Sequence, residues 1–213
     1  MPPRIVPTLD HERAFFDAGL TIVAGVDEAG RGALAGPLVA AAVVLGDAGA
    51  EALAAVVRDS KTLTAPRRAT ACDLLLGVVS ASGVGVATAA EIDRHGIVPA
   101  NRIAMERAVD ALGLAVDALL TDFVVLDRGE PQVALVDGDA LSLSIAAASI
   151  LAKVTRDRLM TDLAAEHPAY GFDAHAGYGT AAHLAALDRH GPCAHHRRSF
   201  TPVARALAQR VGS

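Results

Sequence analysis

The chain predicts an α/β fold, a mixed five-stranded sheet flanked by helices, with a small helical extension closing the chain. Three observations predict it. Apolar runs of strand length, bounded by turn residues, recur at 22–26, 38–45, 84–88, 118–122 and 133–136, the pattern of strands packed on both faces. Longer stretches with helical periodicity stand between and after them. Acids also recur at strand ends: Asp27 and Glu28, then Asp122, then Asp139. In mixed α/β sheets, sites collect at the ends of adjacent strands.

In order, residues 1–19 carry a short amphipathic helix that Asp10 can cap, Phe15 and Phe16 can anchor and Gly19 can end. The first strand, Ile22-Val23-Ala24-Gly25-Val26, runs into Asp27-Glu28 and a glycine-flanked arginine, Gly30-Arg31-Gly32. Pro37 leads into the second strand, 38–45, and Thr64-Ala65-Pro66 starts a helix with proline in its first turn. A third strand spans 84–88, and Glu91 opens helical territory that runs to Gly113. The fourth strand, 118–122, ends on Asp122, and the fifth, 133–136, runs into Asp137-Gly138-Asp139. A long, alanine-rich helix over Ser142 to Glu166 follows, with Ser149, Lys153 and Asp157 near one face at i, i+4 and i+8. Two short helices, about 181–190 and 202–211, close the chain.

At 213 residues this is one domain of ordinary size, and 52% hydrophobic content supports a large core. With only 3% aromatics, small aliphatic side chains must fill that core, so helices lie close to the sheet. No apolar stretch reaches membrane-spanning length, and Met1-Pro2-Pro3-Arg4 lacks the apolar run of a secretory signal. Cys72 and Cys193 are too few for a disulfide scaffold or a zinc site. A cytoplasmic protein is expected. Net charge is -5, yet from His175 onward five arginines (189, 197, 198, 205 and 210) face a single acid, Asp188. A basic end on an acidic protein suits a polyanionic partner.

An isolated Asp-Glu pair is more often a solvated turn than a site. A phosphate loop also fails, because Arg31 replaces its lysine, Gly32 its hydroxyl, and two acids inside would repel phosphate. Four carboxylates converging at strand ends are different, since they repel one another unless cations sit between them. Hard oxygen ligands without cysteine or neighbouring histidine point to Mg²⁺ or Mn²⁺. Two such ions about 3.5–4 Å apart are a known device for phosphodiester displacement.

The segments Gly25 to Gly32, Asp59-Ser60-Lys61, Gly138-Asp139 through Asp157, Gly177-Tyr178-Gly179-Thr180 and His196-Arg197-Arg198-Ser199-Phe200 together resemble bacterial ribonuclease HII over about residues 20 to 205. The resemblance implies an RNase H-like fold, with an N-terminal segment at 1–19, a catalytic domain at 20–166 and a substrate-binding helical extension at 167–213. It implies cleavage of RNA in RNA–DNA hybrids and incision 5′ to single ribonucleotides in duplex DNA, leaving 3′-hydroxyl and 5′-phosphate ends. Asp27, Glu28, Asp122 and Asp139 then correspond to the metal-binding catalytic acids, with Mn²⁺ or Mg²⁺ as cofactor, two per site with substrate. Gly30, Arg31 and Gly32 correspond to the loop that reads the 2′-hydroxyl, and Tyr178 to the tyrosine that stacks on the following deoxyribose. Lys61 and Lys153 fall at phosphate-contacting positions, and Ser149 is either such a contact or a small packing residue. A monomer is expected.

Three positions depart from the family pattern: Phe123 stands where glycine usually follows the acid, Asp137 precedes Gly138-Asp139, and Ala176 replaces a frequent lysine. The Gly-Asp-Ala frame favours Asp139 over Asp137 as the ligand. Two rival readings stay open beside this one. Ribonuclease HIII carries an extra N-terminal domain that about twenty residues cannot supply, and Holliday-junction resolvases lack the Gly-Arg-Gly and Gly-Tyr pair. A non-catalytic binding module gains nothing from four acids facing phosphate.

Overall fold

A computed structural model describes residues 6–46, 53–54, 57 and 65–211. Five strands form one sheet in the order β3-β2-β1-β4-β5: β1 Val23–Ala29, β2 Leu38–Leu45, β3 Val79–Ala87, β4 Ala118–Asp122 and β5 Gln132–Leu135. The first three form an antiparallel meander, while β4 and β5 join parallel to β1 and to each other. The expected mixed five-stranded sheet is therefore present.

Among the described residues, the helices of more than one turn are α1 Asp10–Asp17, α2 Ala65–Leu76, α3 Ala89–His95, α4 Ile97–Asp110, α5 Leu143–Glu166, α6 Ala181–His190 and α7 Thr201–Val211. The long α5 covers one face of the sheet and α4 the other, each lined by alanines with no exposure. Close approach depends on missing side chains. A Cβ on Gly25 would run into the backbone of Ser144 at the start of α5, and on Gly83 or Gly85 into the backbone of α4. The small-residue packing that the composition demands is concentrated at these contacts.

Several expectations are corrected at the element ends. The strand expected at 84–88 begins at Val79, and the helical territory from Glu91 breaks into α3 and α4 at Gly96, whose φ is +83°. A capping box formed by Thr88 and Glu91 starts α3. Asp10 is not a cap. Leu9 holds that position without a side-chain bond, while Phe15 packs with Val23, Leu120 and Ile145 and Phe16 stays 40% exposed. Ser142 does cap α5, accepting from the Ile145 N–H at 3.3 Å. The start expected at Thr64 lies outside the described residues.

The N-terminal segment is built into the fold. Buried Glu12 accepts through Oε1 from the Ser142 hydroxyl (2.6 Å), the Ser144 N–H (2.9 Å) and the Ser144 hydroxyl (2.7 Å). A carboxylate at the start of α5 meets orphan donors and the positive end of the helix dipole together.

Candidate active site

Strand pairing assembles the acids. Val26 lies opposite Thr121 in the parallel β1–β4 ladder, so the residues that follow arrive side by side at the same end of the sheet. Alternation along β1 turns Asp27 toward α5, where it faces Ser149, and Glu28 toward α4, where it faces Asn101. Carboxylate oxygens of Asp27, Glu28 and Asp122 lie within 4.8 Å of one another. Two backbone donors pin them: Glu28 N–H to Asp27 Oδ1 at 2.6 Å and Gly138 N–H to Asp122 Oδ1 at 2.7 Å.

Electrostatically the cluster asks for a cation. Burial holds the Asp27 carboxyl well above the usual aspartate range, and the charges of Glu28 and Asp122 add to it against the Ser149 hydroxyl. Glu28 is raised for the same first reason, opposed by Asn101 and Arg31. Asn101 is close without reaching hydrogen-bond geometry: neither of its amide atoms nor Glu28 Oε2, all buried, has a hydrogen-bond partner among the described residues. A buried carboxylate oxygen without a donor, within reach of two other carboxylates, fits a divalent oxygen-seeking ion.

Asp139 is half-buried in the helical turn Gly138–Leu141 and is not one of the three mutually close acids. It follows directly the Gly138 whose N–H holds Asp122. The alternative, Asp137, is exposed on a left-handed backbone.

Beside the acids, Gly30-Arg31-Gly32 forms a turn held from below by two fully buried arginines. Arg156 donates to the carbonyls of Pro37 (3.0 Å) and Ala35 (3.3 Å), and Arg197 to those of Gly36 (3.1 Å) and Arg31 (2.9 Å). Gly30, at φ +91°, lies directly against the Arg156 side chain, which leaves no room for a Cβ. The Arg156 guanidinium also stands 5.4 Å from the centroid of the Tyr178 ring, which is 39% exposed and borders Gly32. Arg31 is exposed enough to meet a ligand and stands 4.0 Å from Glu28. The loop, Tyr178 and the acids thus form one surface.

The other expected contacts divide. Ser149 faces Asp27. Lys153 pairs with Asp157 at 2.6 Å, and Asp157 also meets Arg68 at 3.6 Å. Lys61 lies outside the described residues. Of the five C-terminal arginines, Arg197 is an internal strut and not a surface charge, and Arg210 donates to the carbonyls of Asp188 and Arg189. His196 is buried, its Nε2 3.1 Å from that of His183, and burial pushes its pKa down to about 4. It is a neutral packing histidine.

Three residues have supporting roles that the sequence reading missed. Arg156 stands two turns after Ser149, with apolar Ala152, Leu159 and Met160 at i-4, i+3 and i+4 around it. Asn101 interrupts a buried stripe completed by Ala104, Met105 and Ala108. Arg197 was read as one of the basic C-terminal arginines and as part of a family motif, and neither reading shows its main-chain partners. The positions flagged as departures have a backbone meaning. Phe123, Asp137 and Ala176 are the non-glycine residues with left-handed φ among the described residues, at +60°, +55° and +48°.

A family model described as Ribonuclease HII matches residues 24–203. A ribonuclease HII of Acidovorax sp. (strain JS42) is 52% identical over 193 residues, covering 90% of this chain and 91% of that protein. The ribonuclease H2 of Pyrococcus horikoshii OT3 superposes with a TM-score of 0.77 at 27% identity, covering 90% of this chain and 99% of the other. Bst-RNase HIII in complex with Mn²⁺ superposes with a TM-score of 0.71 at 22% identity, covering 90% and 71%.

The sheet order and the acids at its carboxyl edge therefore define an enzyme of the RNase H-like fold, a hydrolase of the ribonuclease H type. The chain belongs to the ribonuclease HII family, whose activity is endonucleolytic cleavage of RNA in RNA–DNA hybrids.

Proposed function

We propose that this ribonuclease incises duplex DNA on the 5′ side of single ribonucleotides, as well as cutting continuous hybrids, and leaves 3′-hydroxyl and 5′-phosphate ends. The observation that carries the reading is the position of the Gly30-Arg31-Gly32 turn and Tyr178 beside the three converging carboxylates. Asp27, Glu28 and Asp122, with Asp139 as the fourth acid, hold Mn²⁺ or Mg²⁺, two ions when substrate is present. Bound there, divalent ions supply an activated water and stabilise the leaving oxygen.

The chain's own residues do the rest. The glycines let backbone approach the ribose 2′-hydroxyl, the one group that marks a ribonucleotide within DNA. Arg31 meets backbone phosphate, with Lys61 and Lys153 further along the strand. The Tyr178 ring, backed on one side by Arg156, offers its open side to the next sugar. Ser149 serves Asp27 better than it serves phosphate, because it already faces that carboxylate. Residues 167–213 act as the substrate-binding extension, and the enzyme works as a monomer. Among the described residues no helix is long and apolar enough to cross a membrane.

The test is a DNA duplex carrying one ribonucleotide, incubated with and without Mg²⁺ or Mn²⁺. Cation-dependent incision 5′ to the ribonucleotide is expected. Cleavage of a continuous hybrid alone would remove the single-ribonucleotide reading while leaving the ribonuclease H activity.

A further inference from the structure

A second group of potential ligands lies where α5 ends. Glu166 is its last residue and His167 its C-cap, while His195 arrives from the segment before α7. One ligand atom from each lies within 4.8 Å of the others. The two imidazole rings stand 5.3 Å apart, centroid to centroid, tilted by 59°. None of the three side chains makes a hydrogen bond or ion pair among the described residues. Glu166 and His195 border a cavity of about 430 Å³, which Asp162, Leu159, Gly36 and Pro37 also line.

Three physical features favour a cation there. Asp162 and Glu166 are like charges at i, i+4 on one helix face, which repel unless something positive sits between them. The carboxyl end of α5 presents free carbonyls and the negative pole of the helix dipole. The ligands differ in kind from those of the acidic centre, since two imidazoles and one carboxylate suit a borderline ion, and a tetrahedral site brings its ligand atoms to about 3.3 Å from one another. The ligand atoms, within 4.8 Å of one another, approach that spacing by side-chain rotation.

We infer that Glu166, His167 and His195 form a zinc-type site separate from the acidic centre, with Asp162 or water from the cavity as fourth ligand. Its position gives it a structural effect. The His195 carbonyl accepts from Gly36 N–H at 2.9 Å, and Arg197, two residues on, supports the recognition turn. An ion shared by His195 and the end of α5 ties this supporting segment to the core helix.

The experiment uses tag-free, full-length Asp27→Asn protein, in which the acidic centre is weakened, titrated with Zn²⁺ by calorimetry and with Co²⁺ by visible absorption. One Zn²⁺ per chain is expected, with Co²⁺ bands of the intensity of a four-coordinate imidazole site and a melting temperature that rises with Zn²⁺. In the same background His167→Ala/His195→Ala should weaken Zn²⁺ binding by at least about tenfold and abolish the melting shift. Glu166→Gln, which keeps size and removes charge, should weaken binding with the metal-free melting temperature unchanged. Zn²⁺ binding indifferent to these substitutions, or an absence of binding to the Asp27→Asn protein, would overturn the assignment.

Discussion

Burial and charge act on Asp27 in the same direction, and both press its carboxyl toward the protonated form. A carboxyl raised in the fold keeps a proton that the unfolded chain has released. Without a cation, the stability that Asp27 contributes is therefore fully present below the ordinary carboxylate range and is lost as pH rises from there through the raised folded value. Asp27→Asn removes that loss. The metal-free variant should melt above the parent at neutral pH, with the gap closing on acidification to about pH 4, as thermal melts in a chelator would show. The same variant should lose cleavage altogether; activity within a few-fold of the parent would refute its role as a ligand. Tyr178 makes a different kind of contribution. Stacking on a nucleotide is worth roughly 1–3 kcal/mol, so Tyr178→Ala should lose about one to two decades of rate on a single ribonucleotide, and Tyr178→Phe far less. Comparing a lone ribonucleotide with a continuous hybrid checks this. Equal losses on both, together with a lower melting temperature, would make Tyr178 a packing residue only.

Elements, rather than single residues, set the shape of the recognition turn. Arg197 holds the carbonyls of Arg31 and Gly36 without a paired carboxylate among the described residues, beside the like charge of Arg156. Hydrogen bonds from a charged donor are each worth about 1.5–3 kcal/mol. Arg197→Ala should thus cost about 2–4 kcal/mol of stability and raise KM for substrate more than it lowers kcat. Calorimetry and steady-state cleavage read both, and an unchanged KM would mean that the turn holds itself. The sequence shows such elements unevenly. The strand at 38–45 was legible because every residue there is apolar, and that at 118–122 because Ala118, Leu119 and Leu120 are. The first half of β3 was not, because Ser80, Ser82 and Gly83 dilute its pattern. Asp27, Glu28 and Asp122 were legible as acids at strand ends. Arg156 and Arg197 were not, because their partners are main-chain carbonyls that a sequence shows identically everywhere. Asp10 misled for a related reason, since its side chain suits a cap but the chain is already helical at Asp10, which leaves Leu9 as the cap.

For the whole molecule, the N-terminal segment is a fastener and not an appendage. Thr8 exchanges backbone bonds with Leu141 and Leu143, and Glu12 fills the start of α5 with a buried carboxylate. Glu12→Ala would strand two serine hydroxyls and a helix N–H, costing about 2–4 kcal/mol, while Glu12→Gln, which retains an acceptor, should cost less. Denaturant melts distinguish them, and equal stability of all three proteins would show that the contact is dispensable. The parallel pairing of β1 with β4 also fixes when the enzyme can exist. Some ninety residues separate Val26 from Thr121 across that ladder, a loop whose closure is slow relative to the β1–β2–β3 meander. As the chain leaves the ribosome, Asp27 and Glu28 emerge long before Asp122, so the nascent protein has half a cage and no means of cutting the nucleic acid around it.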